Sequence, residues 1–320
     1  MEHKDSKESY TQNDMATALA NSNLANERLL EMVQAEIKYK KWKFYMLFFP
    51  VVMLVGYGLF TLWSKNNLFG GEDYVAKVEI NGEIGPGMLA NANRINASLR
   101  KAFADENNSG VFLSINSPGG SPSESARIHD ELIYLQMKYP EKNLVIYGTG
   151  SMTSGAYWIA CADDEIHSMS MTMVGSIGVI METFDFSKIL DEYNVSKKVF
   201  TAGEHKHRLD PFFETSEEDA EKINFTLAKL HDLFKATVSN SRKERINLET
   251  NPKLFSGDFW LGEEALELGL VDSITTEHEL LEAEFGTVNV VDYTQHPNMF
   301  DQINSQRVLA DLKNQLVTFW

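Results

Sequence analysis

The chain has 320 residues, a formal net charge of −17 and one cysteine. That charge excludes a phosphate-tracking nucleic-acid binder, which needs clustered Lys and Arg, and a lone cysteine excludes an internal disulfide. Less a tail and an apolar segment, about 250 residues remain, enough for one large domain or two small ones. Cys161 sits in the apolar run Tyr157 to Ala162 and reads as a buried small hydrophobe. The eight histidines lack ligand spacing with one another or with the cysteine, so neither metal nor cofactor is expected.

Residues 1–43 form a polar tail whose faint helical pattern (Leu19, Leu30, Val33, Ile37) fits either a helix or a disordered segment. Phe44 to Trp63 contains no charge over twenty residues, and at about 1.5 Å per residue this spans the roughly 30 Å hydrocarbon core of a bilayer. Lys38, Lys40, Lys41 and Lys43 precede it and only Lys65 follows closely, so the N-terminus is expected in the cytoplasm and everything after Ser64 outside the inner membrane. A cleavable signal peptide fits less well: the stretch is long, begins after forty residues and lacks an Ala-x-Ala site.

A linker over 64–73 leads into a domain over 74–298. Strands are expected at Val75 to Ile80, Val111 to Ile115, Leu144 to Tyr147, Val174 to Met181 and Val195 to Phe200. Helices are expected at Leu89 to Phe103, Ser123 to Met137, Ala156 to Ala162, Glu217 to Lys243 and Gly262 to Leu268, the last closed by Gly269. This alternation implies a mainly parallel α/β core. In the last segment, 299–320, Val308, Leu309, Leu312, Leu316 and Phe319 make one helical stripe, suited to packing on its own domain or on another subunit.

Three constellations carry chemistry. Asn116-Ser117-Pro118-Gly119-Gly120 closes a strand before a helix, and its glycines leave backbone N–H groups open to an oxyanion or a phosphate; the same sequence is also an ordinary turn. Ser154 follows a strand and a Gly150-containing turn and begins an apolar helix, where the Gly155 N–H is free to donate; the bland reading is an N-cap serine. Lys206, flanked by His205, His207 and Arg208, is the best base for that serine, because neighbouring positive charge favours a neutral amine; Glu204 opposes this, and a solvated basic loop is the alternative. His129 and His167 lack a comparable setting.

In order along the chain, Asn116 to Gly120, Ser154-Gly155-Ala156-Tyr157 with Ala162-Asp163, Gly175-Ser176-Ile177-Gly178-Val179, Ala202-Gly203 through Lys206, and Phe255-Ser256-Gly257 with Glu264-Ala265 and Gly269-Leu270-Val271-Asp272 resemble the signal peptide peptidase A family, short single-repeat bacterial type. The resemblance implies a Clp protease/crotonase-like spiral of ββα units behind a single transmembrane helix. It further implies Ser154 as nucleophile, Lys206 as general base, Gly120 and Gly155 as oxyanion amides and Ser176 as a hydroxyl that orients the lysine. Expected partners are the membrane, peptide substrates such as cleaved signal peptides, and further copies of the chain in a ring or dome, with serine and lysine supplied by one subunit or by two. Ala156 in place of the commoner glycine, and His207-Arg208 in place of more neutral neighbours, are departures that remove no catalytic group. A crotonase-type acyl-CoA enzyme and an inactive membrane scaffold of the same fold are the alternatives.

Overall fold

The computed structural model describes residues 5–68 and 73–296, in two compact units that divide after Glu72. The first is one helix, α1 (Asp5–Leu68), with Pro50 inside it. Its stretch Glu27–Thr61, mean hydropathy 1.8, is long and apolar enough to cross a membrane by length and composition, and it buries none of its apolar window against protein. Residues 5–43 of the tail are therefore helical, and α1 continues into the expected linker as far as Leu68. The C-terminal stripe from Val308 to Phe319 lies outside the described residues.

The second unit is a mixed α/β domain built on one mainly parallel sheet. It runs β1 (Val75–Asn81), α2 (Ala92–Ala104), β2 (Gly110–Ser117), α3 (Pro122–Lys138), β3 (Asn143–Thr153), α4 (Gly155–Ala160), β4 (Ile166–Ser168), β5 (Met173–Gly175), α5 (Ser187–Glu192), α6 (Glu217–Arg242), β6 (Phe259–Leu261), α7 (Gly262–Glu267), β7 (Ser273–Ile274), α8 (Glu277–Phe285) and β8 (Val290–Asp292). The sheet order is β6-β5-β3-β2-β1-β8, with β4 on β3 and β7 on β4. Only β5 and β6 pair antiparallel among the named strands.

Side chains alternate across a strand, and β2 uses both faces. Val111, Leu113 and Ile115 join the main core with Ile95 and Leu99 of α2 and Ile128 and Leu132 of α3. Phe112 faces the other way, packing with Val75, Val145, Tyr147 and the Leu280–Leu281 pair of α8. Strand β3 is longer than its apolar run suggests because it serves two neighbours in turn: Ile146–Gly148 pairs with β4, and Ser151–Thr153 pairs with β5. That extension carries the backbone from the core to Ser154.

Two expected strands are corrected. The segment from Val174 to Met181 is extended only to Gly175, because Gly175 (φ +102°) and Ser176 (φ +51°) turn the chain out of the sheet. Val195 to Phe200 forms no strand; Phe200 is 93% exposed and no neighbouring strand pairs with it among the described residues. Elements not anticipated are β4, β6, β7, β8, α5 and α8, and helix α2 starts later than expected, at an Asn91 cap that accepts the Arg94 N–H at 3.1 Å.

Candidate active site

Ser154 stands between the end of β3 and the first residue of α4 with φ +53° and ψ −126°, a backbone conformation that non-glycine residues seldom adopt. Its N–H donates to the Gly175 carbonyl at 2.8 Å, and its own carbonyl accepts the Trp158 N–H at 3.0 Å. The hydroxyl makes no capping hydrogen bond, so the N-cap reading does not hold. A sharp turn that is held by backbone bonds and leaves the side chain free is the geometry an exposed nucleophile needs.

The Gly119–Gly120 turn lies directly against it. Gly119, at φ +92°, approaches so closely that a Cβ there would stand 2.6 Å from the Gly155 nitrogen and 2.8 Å from Ser154 Cβ. Gly120 is fixed from behind: Ile84 donates to Gly119 O at 2.8 Å and accepts from the Ser121 N–H at 2.7 Å. A Cβ on Gly155 would lie 3.5 Å from the Gly120 nitrogen and 2.3 Å from Ser125 Oγ. The Gly120 and Gly155 amides are thus neighbours beside Ser154, and neither donates a backbone hydrogen bond among the described residues. Ser125 is the supporting residue the sequence reading missed; its hydroxyl donates to the Ser121 carbonyl at 3.1 Å, and its one signal is a small side chain on the buried face of α3.

These groups border a small, partly open cleft lined by Ser154, Gly120 and Gly155 and, on its apolar side, by Trp158, Val179, Ile180, Leu230 and Phe234. The Trp158 and Phe234 rings pack at 5.1 Å. Ser176 follows the carbonyl that holds Ser154; its N–H donates to Asp258 O at 2.7 Å. A Cβ on Gly178 would come within 3.0 Å of Gly257 Cα, so the Gly175-to-Val179 and Phe255-to-Gly257 segments meet beside the cleft.

Lys206 is not among the residues lining this cleft. It is exposed on a run of turns, its N–H donating to Gly203 O at 3.2 Å. Of the three flanking groups expected to crowd it, two are faced by carboxylates: His205 by Glu204 (3.1 Å) and Glu218 (3.4 Å), Arg208 by Asp219 and by Glu218 (3.6 Å). Within one protomer Ser154, Gly120 and Gly155 line one cleft, Ser176 follows the carbonyl that braces Ser154, and Lys206 is not part of the cleft lining. Neither histidine substitutes as a base. His167 is buried, its Nδ1 2.8 Å from Ser273 Oγ, and burial pushes its pKa down; His129 faces Asp130 on α3. Burial pushes the Cys161 thiol up to about 12, in keeping with an inert core residue.

Comparison with known proteins matches residues 136–290 to the model of peptidase family S49 and residues 77–181 to that of Clp protease. The chain is similar to a protein named Na(+)/H(+) antiporter NhaA from Brucella abortus, 37% identical over 188 residues, 59% of this chain and 25% of that one. It is similar to the putative signal peptide peptidase SppA of Enterococcus faecium, 31% identical over 237 residues, 73% of this chain and 62% of that protein. The putative protease MJ0651 of Methanocaldococcus jannaschii is 28% identical over 273 residues, 79% of this chain and 86% of the other. The chain thus spans a quarter of the first relative's length and somewhat under two thirds of the second's.

Proposed function

We propose that the chain is a member of peptidase family S49, whose model matches residues 136–290, and a membrane-anchored serine endopeptidase of the signal peptide peptidase A type with a Ser154/Lys206 dyad. The observation that carries this reading is the uncapped Ser154 at φ +53°, beside two adjacent unused amides and an apolar cleft. Ser154 Oγ attacks the peptide carbonyl as Lys206 takes its proton, and the amides of Gly120 and Gly155 hold the oxyanion that forms. Lys206 returns the proton to the leaving nitrogen as the C–N bond breaks, leaving an ester on Ser154. Water then attacks that ester, giving its proton to Lys206, and Oγ recovers a proton as the acid departs. Ser176, one residue beyond the carbonyl that braces Ser154, is the hydroxyl that orients the amine.

With Lys206 outside its own protomer's cleft, the amine comes from a neighbouring copy in a homo-oligomer. The apolar lining suits hydrophobic side chains, and α1 keeps the domain at the bilayer with its N-terminus in the cytoplasm, so the substrates are hydrophobic peptides such as cleaved signal peptides. The test uses the purified full-length protein, a fluorophosphonate that labels activated serines, and unfolded apolar peptides. Parent protein is labelled and cleaves; Ser154→Ala and Lys206→Ala do neither. Unaltered cleavage by either variant overturns the dyad, and a parent that assembles yet neither labels nor cleaves points to a scaffold.

A further inference from the structure

Helix α6 touches both halves of the proposed machinery. Its middle supplies Leu230 and Phe234 to the Ser154 cleft, and His231 Nε2 lies 3.1 Å from the Ile177 carbonyl oxygen. Its first turn, where Ser216 Oγ accepts the Asp219 N–H at 3.1 Å, holds the turns that carry Lys206. The link is Arg208. Its Nε donates to Asp219 Oδ1, and its Nη2 stands 3.6 Å from Glu218 Oε1 and donates to His205 Nδ1 at 3.0 Å. His205 in turn reaches Glu218 through its other ring nitrogen, at 3.4 Å. The residues immediately before and two after Lys206 are thus both tied to one helical turn, while the backbone of that stretch is held only by turn bonds, with Leu209 at φ +67°.

Exposed ion pairs contribute little to stability, but a planar guanidinium shared between carboxylates fixes direction as well as distance. The Arg208 side chain is 19% exposed and Asp219's 18%, against 70% for Glu218, so the Arg208–Asp219 contact is the enclosed part of the cluster. Arg208 holds the Asp219 carboxyl below the usual carboxylate range. A lysine on a flexible stem reaches a given hydroxyl more often if its backbone is fixed, and a misplacement of about 1 Å costs about 10²-fold in rate.

We propose that Arg208, clamped to Asp219 at the start of α6, is a positioning residue for Lys206; the proposal rests on the reading of Lys206 as the base. The full-length protein is assayed as Arg208→Ala, Arg208→Lys, the charge-swapped pair Arg208→Asp with Asp219→Arg, and Lys206→Ala. Arg208→Ala is expected to lower kcat about 10²-fold with KM unchanged, Arg208→Lys to fall between, and the swapped pair to recover most of the loss, all with the thermal midpoint of the parent. An Arg208→Ala variant that turns over like the parent, or a swapped pair as slow as Arg208→Ala, overturns the clamp while an inactive Lys206→Ala leaves the base standing. Full activity in Lys206→Ala overturns the base, and the clamp with it.

Discussion

Ser154 donates its N–H to the carbonyl of Gly175 at 2.8 Å, and the residue after that carbonyl, Ser176, shares its rare left-handed backbone, φ +51° beside +53°. Two non-glycine residues at positive φ on adjoining turns cost free energy that a turn built only for stability would avoid. The end of β3 and the end of β5 thus brace each other where the hydroxyl must stand clear of the helix it precedes.

Substituting Ser154 separates that strain from the chemistry. Ser154→Ala keeps the unfavourable backbone and is expected to lose turnover without gaining stability. Ser154→Gly also loses turnover but removes a strain of about 1–3 kcal/mol, offset by about 0.5–1 kcal/mol of added chain entropy. Equilibrium denaturation should therefore find the glycine variant about 1 kcal/mol more stable than the alanine one. Equal stabilities would mean that the turn is relaxed.

Gly119→Ala probes the contact from the opposite side. The added methyl would meet the Gly155 nitrogen and Ser154 Cβ at under 3 Å, at a residue whose φ of +92° already excludes it. A loss of about 1–3 kcal/mol in stability is expected, with a fall in kcat of about 10² or more as the serine and one of the amides proposed to hold the oxyanion shift together. Thermal unfolding and peptidase assay on the same preparation test both parts; a stable, fully active variant would show that Gly119 and Ser154 are not in register.

How far such features can be read from sequence depends on what the pattern measures. Alternation located β1, β2 and the first half of β3 because those strands are buried on fixed faces, and periodicity located α3 and α6. The same alternation misled at Val195 to Phe200, where the apolar residues stay exposed; it reports spacing and not destination. Strands β4, β6 and β7 have three residues or fewer, too short to show a period. Helix α8 was legible in principle, since Thr276 and Glu279 form a capping box and Gly286 at φ +68° ends it. At the site, Ser154 and the paired glycines were visible as turn chemistry. That Gly119 touches Ser154, and that Lys206 lies outside its own protomer's cleft, depends on chain crossings that no local pattern records.

Because Lys206 is not part of the lining of the Ser154 cleft, a mixing experiment tests where the proposed dyad is built. On the proposed dyad, Ser154→Ala retains a lysine and Lys206→Ala retains a serine, so neither variant is expected to cleave alone. If each dyad is built across a subunit contact, oligomers re-formed from a mixture of the two contain some intact pairs and regain part of the parent peptidase activity. The regained fraction should depend on the mixing ratio and peak near equal parts. Mixed oligomers that form yet remain inactive at every ratio would place both groups in one subunit, reached by movement of the Lys206 turns.

The Ala162-Asp163 segment that follows α4 carries a pH response of its own. Burial pushes the Asp163 carboxyl up from 3.8 to about 6, with Asp164 and Glu165 adding to the rise, against hydrogen bonds donated by the backbone N–H groups of those same two residues. A carboxyl whose pKa is higher folded than unfolded binds its proton more tightly in the folded state, so its contribution is full below about 3.8 and is lost as pH rises through about 6. At neutral pH the domain therefore holds a partly buried charge at a cost of about 2–3 kcal/mol. Asp163→Asn keeps an acceptor for the backbone donors and removes that cost. Denaturation at a series of pH values should find the variant more stable than the parent at pH above about 7, with the difference shrinking as pH falls toward about 4; a difference that stays constant with pH would assign the effect to packing instead of ionisation.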